Sequence, residues 1–278
     1  MSSGEPSPFS AGWLALREGA DADARAAELI APLRAHLAGT ATTPLVIRDL
    51  GCGTGSLRRW LAGRLHGPQH WILHDRDPEL LARARAGDKT AADGAPVTVE
   101  CRLADVTDLR ASDLAGTSLV AASALLDLLT AREVDGLADA CVGAGCPALL
   151  TLSVTGRVEL TPGDPLDVEV AAAFDAHQRR TKGGRRLLGP DAAAVAASAF
   201  RARGARVRSR SSPWRLGPER SALAAEWLRG WVGAAGEQRP DLPVDDYLRR
   251  RLATCAAGEL RVVVQHGDLL ALPAGGCA

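Results

Sequence analysis

A glycine-rich turn between an apolar stretch and a helix-patterned segment constrains the fold of this chain more than any other feature. Residues 45–47 are apolar, and residues 51–55 read Gly-Cys-Gly-Thr-Gly. Residues 56–65 then have apolar side chains at helical spacing. Glycine has no Cβ and tolerates positive φ, so alternate glycines permit a sharp turn with room for a ligand. The pattern predicts a strand, a turn and a helix that together form a nucleotide-type site.

Strand and helix patterns continue to alternate along the chain. Further strands are predicted at residues 70–74, 97–103, 119–126 and 147–154, with helix patterns at 78–86 and 132–141 after the first and third of these. Parallel strands joined through helices require crossover connections, which place helices on both faces of the sheet. The sequence therefore predicts an α/β fold, doubly wound around a mostly parallel sheet.

The flanking segments are mostly helical in pattern. Residues 9–38 predict a helical cover before the first strand, and residues 156–165 predict a loop after the fifth. The remaining predicted elements are helices at 166–180, 190–203, 216–231 and 244–257 and strands at 205–210 and 260–265.

Composition and charge exclude several classes of protein. The chain carries 33 Lys+Arg and 33 Asp+Glu, so no overall positive field points to nucleic acid. It has no apolar run of the roughly 18 residues that a membrane helix needs. Its first residues do not resemble a secretory signal, so we expect a cytoplasmic protein. The six cysteines lack metal-ligand spacing, and no metal site is expected.

Three carboxylates fall where this sheet would place a ligand. Asp49 lies two residues before the first glycine of the turn, Asp75 ends the second strand, and Asp105 follows the third. An acid at the end of the second strand is placed to accept hydrogen bonds from both ribose hydroxyls. Asp105 is placed to meet an adenine amino group, with Asp108 as an alternative acid.

The order of residues in the turn separates the kinds of nucleotide site. A dinucleotide fingerprint reads G-x-G-x-x-G, whereas this turn reads D-x-G-x-G-x-G with Ser56 three positions after Gly53. A phosphate-binding loop would need G-x-x-x-x-G-K-[ST], and no Lys follows this turn. Because Asp49 occupies the turn where other sites face a pyrophosphate, the pattern favours a ligand with an ammonium group.

Four segments resemble the successive motifs of the class I S-adenosylmethionine-dependent methyltransferases. VIRDLGCGTGSL resembles their first motif, and LHDRDPELLARAR resembles the motif of the second strand. RLADVTDL and ASALLDLLT resemble the motifs of the third and fourth strands. The resemblance covers residues 44–155 and implies a seven-stranded sheet whose last strand is antiparallel, with helices on both faces.

The resemblance implies S-adenosylmethionine as the cofactor and S-adenosylhomocysteine as its product. Asp49 matches the acid near the methionine amino group. Arg25 in the helical cover is placed to reach the methionine carboxylate, with Arg17 as an alternative. The other residues that match the wall around the methionine and ribose are Gly51, Cys52, Gly53, Gly55, Ser123 and Ala124.

The resemblance assigns the adenosine end of the cofactor to the second and third strands. Asp75 matches the acid that binds the ribose, and Arg76 matches the residue beside the adenine face. Asp105 and Val106 match the pair at the adenine edge. These four residues are therefore expected to complete the cofactor site.

The last part of the chain departs from this family. Relatives join the last two strands by a short hairpin, whereas here residues 211–259 intervene and predict a helical insertion. We expect one domain over residues 1–278. Its parts are a helical cover (1–43), an S-adenosylmethionine-binding core (44–155) and the substrate-side helices with the last two strands (156–278).

Two residues are candidates for a general base. Asp127 lies just past the fourth strand, where an acceptor would sit, and His177 lies on the helix predicted at 166–180. Either is suited to take a proton from a hydroxyl or amine acceptor. The alternatives are a capping or ion-pair role for Asp127 and a packing role for His177.

A basic segment follows His177. It contains Arg179, Arg180, Lys182, Arg185 and Arg186. Because guanidinium groups bind carboxylates and phosphates in a fork, Arg180 and Arg185 are candidates to hold an anionic acceptor. A solvated loop is the alternative interpretation.

The resemblance implies methyl transfer to a small-molecule acceptor by in-line displacement. Residues 123–126 read Ser-Ala-Leu-Leu rather than the NPPY-like tetrapeptide of relatives that methylate planar nitrogens. We expect a monomer or homodimer without a nucleic-acid or membrane partner. The alternative is a non-catalytic S-adenosylmethionine-binding partner or sensor protein whose acceptor pocket is filled.

Overall fold

An eight-stranded sheet runs through the computed structural model of the chain. The structure describes residues 10–39, 43–87, 90–107 and 109–274, apart from the side chain of Lys182. Asp108 and Cys277, which entered the sequence predictions, lie outside the described residues.

The strand order places the first strand between the second and the fourth, next to the predicted binding site. The strands are β1 (Leu45–Leu50), β2 (Gln69–Asp75), β3 (Val97–Leu103), β4 (Leu119–Ser123), β5 (Ala148–Thr161), β6 (Thr181–Lys182), β7 (Arg185–Arg186), β8 (Arg206–Ser211), β9 (Trp214–Leu216) and β10 (Arg261–Leu272). The sheet runs β3-β2-β1-β4-β5-β10-β8, with β9 also paired to β10, while β6 and β7 form a separate hairpin.

The pairing directions confirm the predicted fold class. The first five strands are parallel to one another. β10 is antiparallel to β5, β8 and β9. The sheet has eight strands rather than the expected seven, because the short strand β9 pairs with the first half of β10.

Nine helices of the described residues connect or cover these strands. They are α1 (Ala11–Ala24), α2 (Ile30–Ala38), α3 (Ser56–Ala62), α4 (Pro78–Ala84), α5 (Ala131–Gly143), α6 (Asp167–Gln178), α7 (Ala192–Ala202), α8 (Ser221–Gln238) and α9 (Val244–Ala256). Their starts follow the sequence closely: Asp77 caps α4 ahead of Pro78. Thr130 and Glu133 form a capping box at the start of α5.

Alternate residues of the central strands face different helix layers. Leu119 and Ala121 of β4 share a core with α2, α3 and α4. Val120 and Ala122 share the opposite core with α5 and α7. Both faces of β4 are therefore buried, which explains why its sequence is an unbroken apolar run. The helices occupy both faces, so the strand ends remain for a binding site.

Two strands are longer than predicted. β5 continues to Thr161, so the loop predicted at residues 156–165 is wrong over its first half. β10 reaches Leu272 instead of ending at residue 265. The second half of β5 alternates half-buried and exposed residues and takes its hydrogen bonds from β10. Gly156, Arg157 and Glu159 gave this half the composition of a loop.

The helical cover and the helical insertion form one packed layer. α1 of the cover contacts β9 and α8 of the insertion. The insertion also contacts α6, because buried Tyr247 of α9 donates a hydrogen bond to Asp167 of α6 over 2.7 Å. In the part of the chain that the structure describes, no helix combines the length and apolarity needed to cross a bilayer.

Candidate functional site

The glycine turn has the predicted strand–turn–helix geometry. Gly51, Gly53 and Gly55 all have positive φ, at 63°, 53° and 80°. A Cβ on Gly53 would lie 3.0 Å from Leu14 Cδ1, and a Cβ on Gly55 would lie 3.0 Å from the backbone oxygen of Ala84. A side chain at either position would therefore meet both strained backbone and occupied space. The turn requires glycine here.

The carboxylate of Asp75 is directed at this turn. Its Oδ2 accepts a hydrogen bond from the Gly53 N–H over 2.7 Å, and its Oδ1 accepts one from the Asp77 N–H over 3.0 Å. The Cys52 N–H donates to the His74 carbonyl over 2.9 Å. The end of β2 is thus held against the turn that follows β1, with a half-buried acid between them.

Asp49 lies beneath the turn and is fully buried, with 0% exposure. Neither of its carboxyl oxygens has a hydrogen-bond partner among the described residues. Burial raises the pKa of Asp49 to about 7, while the nearby charge of Arg25 acts in the opposite direction. A buried carboxyl without a donor is costly, so its placement indicates a ligand that supplies one.

Arg25 enters the same region from the helical cover and is 3% exposed. Its Nη2 donates to Ser56 Oγ over 3.0 Å and to Ser123 Oγ over 3.1 Å. Its Nε and Nη1 are buried without an acceptor among the described residues. Burial lowers the pKa of this guanidinium from its usual value. The planar fork therefore has two donors left for a ligand anion.

Arg25 and Asp49 together offer the polar groups that a zwitterionic ligand would need. Each is buried, Arg25 is a cation and Asp49 an acid, and each has polar atoms without a partner among the described residues. An α-amino acid group satisfies both, because its carboxylate suits Arg25 and its ammonium suits Asp49. The donors and acceptors present at the turn therefore fit the amino-acid part of S-adenosylmethionine.

The structure distinguishes Arg25 from Arg17, the two arginines that the sequence offered for the methionine carboxylate. Arg17 Nε lies 3.0 Å from Asp21 Oδ2, and its guanidinium carbon lies 4.8 Å from the ring centre of Trp214. Asp21 is itself buried and accepts a hydrogen bond from Trp214. Arg17 is therefore engaged within the packed layer, whereas Arg25 reaches the strand ends.

α1 lies over the glycine turn and is fastened to α3. Glu18 and Arg59 form a two-pronged ion pair with distances of 2.6 and 2.7 Å. Arg59 also donates to the Thr54 carbonyl inside the turn, over 2.5 Å. Leu14 of α1 also lies against Gly53, so the cover contacts the turn directly.

The residues expected at the adenine end are exposed or half-buried. Asp105 is exposed, and its Oδ1 accepts hydrogen bonds from Thr107 N–H over 3.0 Å and from Thr107 Oγ1 over 2.8 Å. Val106 is half-buried and Arg76 is exposed. Asp105 is thus engaged in a local turn, and its contact with adenine stays a prediction.

The end of β4 carries the third part of the site. Ser123 receives the hydrogen bond from Arg25, and Ala124 adopts a positive φ of 51° while its N–H donates to the Thr151 carbonyl over 2.9 Å. Asp127 follows on a short 3₁₀ turn, Leu126–Leu128, and is half-buried. Burial raises the pKa of Asp127 to about 6. A carboxyl with that pKa is suited to accept a proton near neutral pH.

His177 and the basic segment have partners of their own. His177 Nε2 lies 3.0 Å from Glu237 Oε2, and Arg180 Nη1 lies 3.7 Å from the same oxygen. Burial lowers the pKa of His177. Arg185 Nη2 lies 2.7 Å from Glu133 Oε2. Carboxylates therefore balance the arginines that the sequence offered for an anionic acceptor.

Sequence reasoning missed one carboxylate beside the site. Asp268 of β10 is 2% exposed and accepts hydrogen bonds from three different segments of the chain. A single acid in the apolar stretch of residues 262–272 was the available signal, because an unpaired acid is not buried without partners.

Comparisons with known proteins agree with the motifs. Residues 47–144 match the family model described as a methyltransferase domain, which confirms the predicted resemblance over that segment of the chain. A biotin biosynthesis bifunctional protein, BioCD, from Bordetella avium (strain 197N) is 46% identical over 65 residues. That segment covers 23% of this chain and 13% of the length of BioCD.

Two solved structures are similar to this chain at low sequence identity. A S-adenosylmethionine-dependent methyltransferase from Geobacter sulfurreducens, in complex with S-adenosyl-L-homocysteine, is 16% identical. The match covers 95% of this chain and 99% of that one, with a TM-score of 0.46. The cyclopropane synthase MmaA2 from Mycobacterium tuberculosis is 12% identical, with coverages of 87% and 83% and a TM-score of 0.44.

The buried carboxyl of Asp49 predicts a specific pH dependence of stability. Its raised pKa means that the folded protein holds this proton more tightly than the unfolded chain does. The stability from an uncharged Asp49 is therefore lost as pH rises from about 4 to about 7. Relative to Asp49→Asn, the wild-type free energy of unfolding is expected to fall by about 2–3 kcal/mol between pH 5 and 8.

Urea denaturation of both proteins at pH 5 and 8 measures this difference. The Asn variant is the matched control, because it keeps the shape of the side chain and all other titrating groups. Parallel pH profiles for the two proteins would contradict a raised pKa at Asp49.

Proposed function

We propose that this chain, a member of the class I S-adenosylmethionine-dependent methyltransferase family, transfers a methyl group from S-adenosylmethionine to a small-molecule acceptor. The buried pair of Arg25 and Asp49 carries this proposal. Their opposite charges and unsatisfied atoms suit an amino-acid group at the place where the family motif lies. A dinucleotide has no ammonium for Asp49, so the pair disfavours a nicotinamide cofactor.

The residues around the turn are assigned to parts of the cofactor. Asp49 and Arg25 would hold the ammonium and carboxylate of the methionine part, with Ser123 fixing Arg25. Asp75 would hold the ribose hydroxyls, exchanging its hydrogen bond to the Gly53 N–H for bonds to the ligand. Asp105 and Val106 would lie near the adenine.

The chemistry requires alignment more than activation. When bound, S-adenosylmethionine supplies a methyl group that is bonded to a sulfonium. The sulfur is a good leaving group, because it departs as a neutral thioether. The protein then has to orient the acceptor and exclude water. α1 covers the turn through Leu14 and the Glu18–Arg59 ion pair, which supports a closed site and a small acceptor.

We propose Asp127 as the acceptor-side base. It follows the same strand that carries Ser123, and its pKa of about 6 suits proton uptake. His177 is the weaker candidate, because its ring contacts Glu237 of α8. The glutamate partners of Arg180 and Arg185 disfavour an anionic acceptor. An acceptor that is neutral or carries a removable proton fits Asp127 better.

Calorimetric titration tests the cofactor assignment. S-Adenosylhomocysteine is expected to bind, whereas NADH is not. Asp75→Ala is expected to weaken S-adenosylhomocysteine by about 1–3 kcal/mol, because the ribose hydroxyls lose their acceptor. Asp241→Ala, which removes an exposed acid paired with Arg239, is the control and should leave binding unchanged. An unchanged dissociation constant for the Asp75 variant would reject the assignment of Asp75.

A screen of small-molecule acceptors tests the reaction itself. With an acceptor found by release of S-adenosylhomocysteine, Asp127→Asn is expected to lower kcat by about 10²–10⁴-fold, the usual contribution of a general base. The dissociation constant of the Asp127→Asn variant for S-adenosylhomocysteine should stay within about twofold of the wild-type value, because Asp127 is assigned to the acceptor and not to the cofactor.

The pH profile separates Asp127 from a passive role. Wild-type kcat should rise with pH through about 6 as Asp127 ionises, and the residual activity of the Asn variant should lack this rise. Full activity of the variant would remove Asp127 from the mechanism. Tight binding without turnover across the screen would favour the alternative of a non-catalytic binding protein.

A further inference from the structure

Asp268 joins three segments that are distant in sequence. Its Oδ2 accepts a hydrogen bond from the Ala26 N–H over 2.8 Å, and its Oδ1 accepts one from the Leu152 N–H over 2.8 Å. Ser212 Oγ also donates to Oδ1. With 2% exposure, the carboxylate lies between the helical cover, β5 and the segment that joins β8 to β9. Such a buried acid determines where each of these backbones lies.

The bond to Leu152 fixes an irregularity in β5. In the pairing of β10 with β5, Gly267 faces Ser153 and Leu269 faces Leu150, so two residues of β5 face Asp268 alone. Leu152 has a φ of 56°, which is unusual for a residue with a side chain. This is a β-bulge, and its extra N–H leaves the ladder. Asp268 supplies the acceptor that this N–H would otherwise lack.

The bulge is connected to one partner of Arg25. Thr151, the other residue that faces Asp268, accepts the hydrogen bond from the Ala124 N–H. Ala124 directly follows Ser123, whose Oγ accepts from Arg25. The position of Ser123 therefore depends on the backbone that Asp268 holds at the bulge.

The bond to Ala26 holds Arg25 from the opposite side. Ala26 directly follows Arg25 and lies in the connection between α1 and α2, where it has extended backbone angles. If the Ala26 N–H were not held, the guanidinium of Arg25 would no longer have a defined position at the strand ends. One carboxylate thus constrains the residue next to Arg25 and the strand end that carries Ser123.

We infer that Asp268 is a positioning residue that sets Arg25 and Ser123 relative to each other and so shapes the pocket for the ligand carboxylate. This inference rests on the proposed function, since it concerns the methionine end of the cofactor. Neither oxygen of Asp268 is left to bind the ligand, because both already accept hydrogen bonds from the protein. It acts through the residues that it holds.

Two variants test this role from opposite ends. Asp268→Asn keeps the shape of the side chain but replaces one acceptor oxygen by a donor. Ala26→Pro removes the donor instead, and the φ of −69° at Ala26 is already that of proline. Ala26→Pro interrupts the bond from Ala26, whereas Asp268→Asn interrupts one of the two backbone bonds, from Ala26 or from Leu152. The two changes affect the core differently, so a folding defect in one leaves the other informative.

The readout compares two ligands that differ only in the methionine end. S-Adenosylhomocysteine has the amino-acid group, whereas 5′-methylthioadenosine keeps the adenosine and the sulfur without it. Both variants are expected to raise the dissociation constant of S-adenosylhomocysteine by about tenfold, the effect of one misplaced charge-assisted hydrogen bond. The dissociation constant of 5′-methylthioadenosine should change by less than about twofold.

Asp167→Asn is the matched control for lost stability. Asp167 also accepts hydrogen bonds in a packed region, from Tyr247 and Arg251, but it ties α6 to α9. Its variant should lower the melting temperature while leaving the ratio of the two dissociation constants as in the wild type. Equal weakening of both ligands by Asp268→Asn and Ala26→Pro would overturn the positioning role.

Titration of the wild type distinguishes a failure of the proposed function from a failure of the positioning role of Asp268. If the wild type binds neither ligand, the proposed function fails and the positioning role fails with it. If the wild type prefers S-adenosylhomocysteine and both variants retain the full preference, only the positioning role fails.

Discussion

The hydrogen bonds of Arg25 to Ser56 and Ser123 join the parts of this protein that form its site. The guanidinium comes from the helical cover, Ser56 begins the helix after the glycine turn, and Ser123 ends β4. Burial of a cation is expensive unless it is paired. Two of its nitrogens and both oxygens of Asp49 lack protein partners among the described residues. The fold therefore maintains a polar pair whose cost a zwitterionic ligand would offset.

Sheet topology explains why these groups meet. β1 lies between β2 and β4, so the carboxyl ends of three parallel strands share one edge. Asp49, Asp75 and Ser123 belong to these three strands. The helical cover then closes this edge through Leu14 and is held in place by Asp268. The half of the site that would bind the methyl donor thus follows from the strand order. Its closure by the helical cover depends on contacts between residues that are distant in sequence.

The same distinction explains what the sequence could predict. The glycine turn, the positions of Asp49 and Asp75 in β1 and β2 and the parallel strand order are encoded locally, and the structure has them where the sequence predicts. The choice of Arg25 over Arg17 was not readable, because it depends on Asp21 and Trp214 engaging Arg17. The bulge at Leu152 and the ion pairs of Arg180 and Arg185 also depend on distant partners. Periodicity carries no information about such pairings.

A crystal structure with S-adenosylhomocysteine tests the central claim most directly. Recognition of the amino-acid group by the buried pair predicts its carboxylate within hydrogen-bond distance of Arg25 Nε or Nη1, and its ammonium beside Asp49. A ligand bound elsewhere, or one that leaves the atoms of Arg25 and Asp49 without a polar contact, would contradict this account.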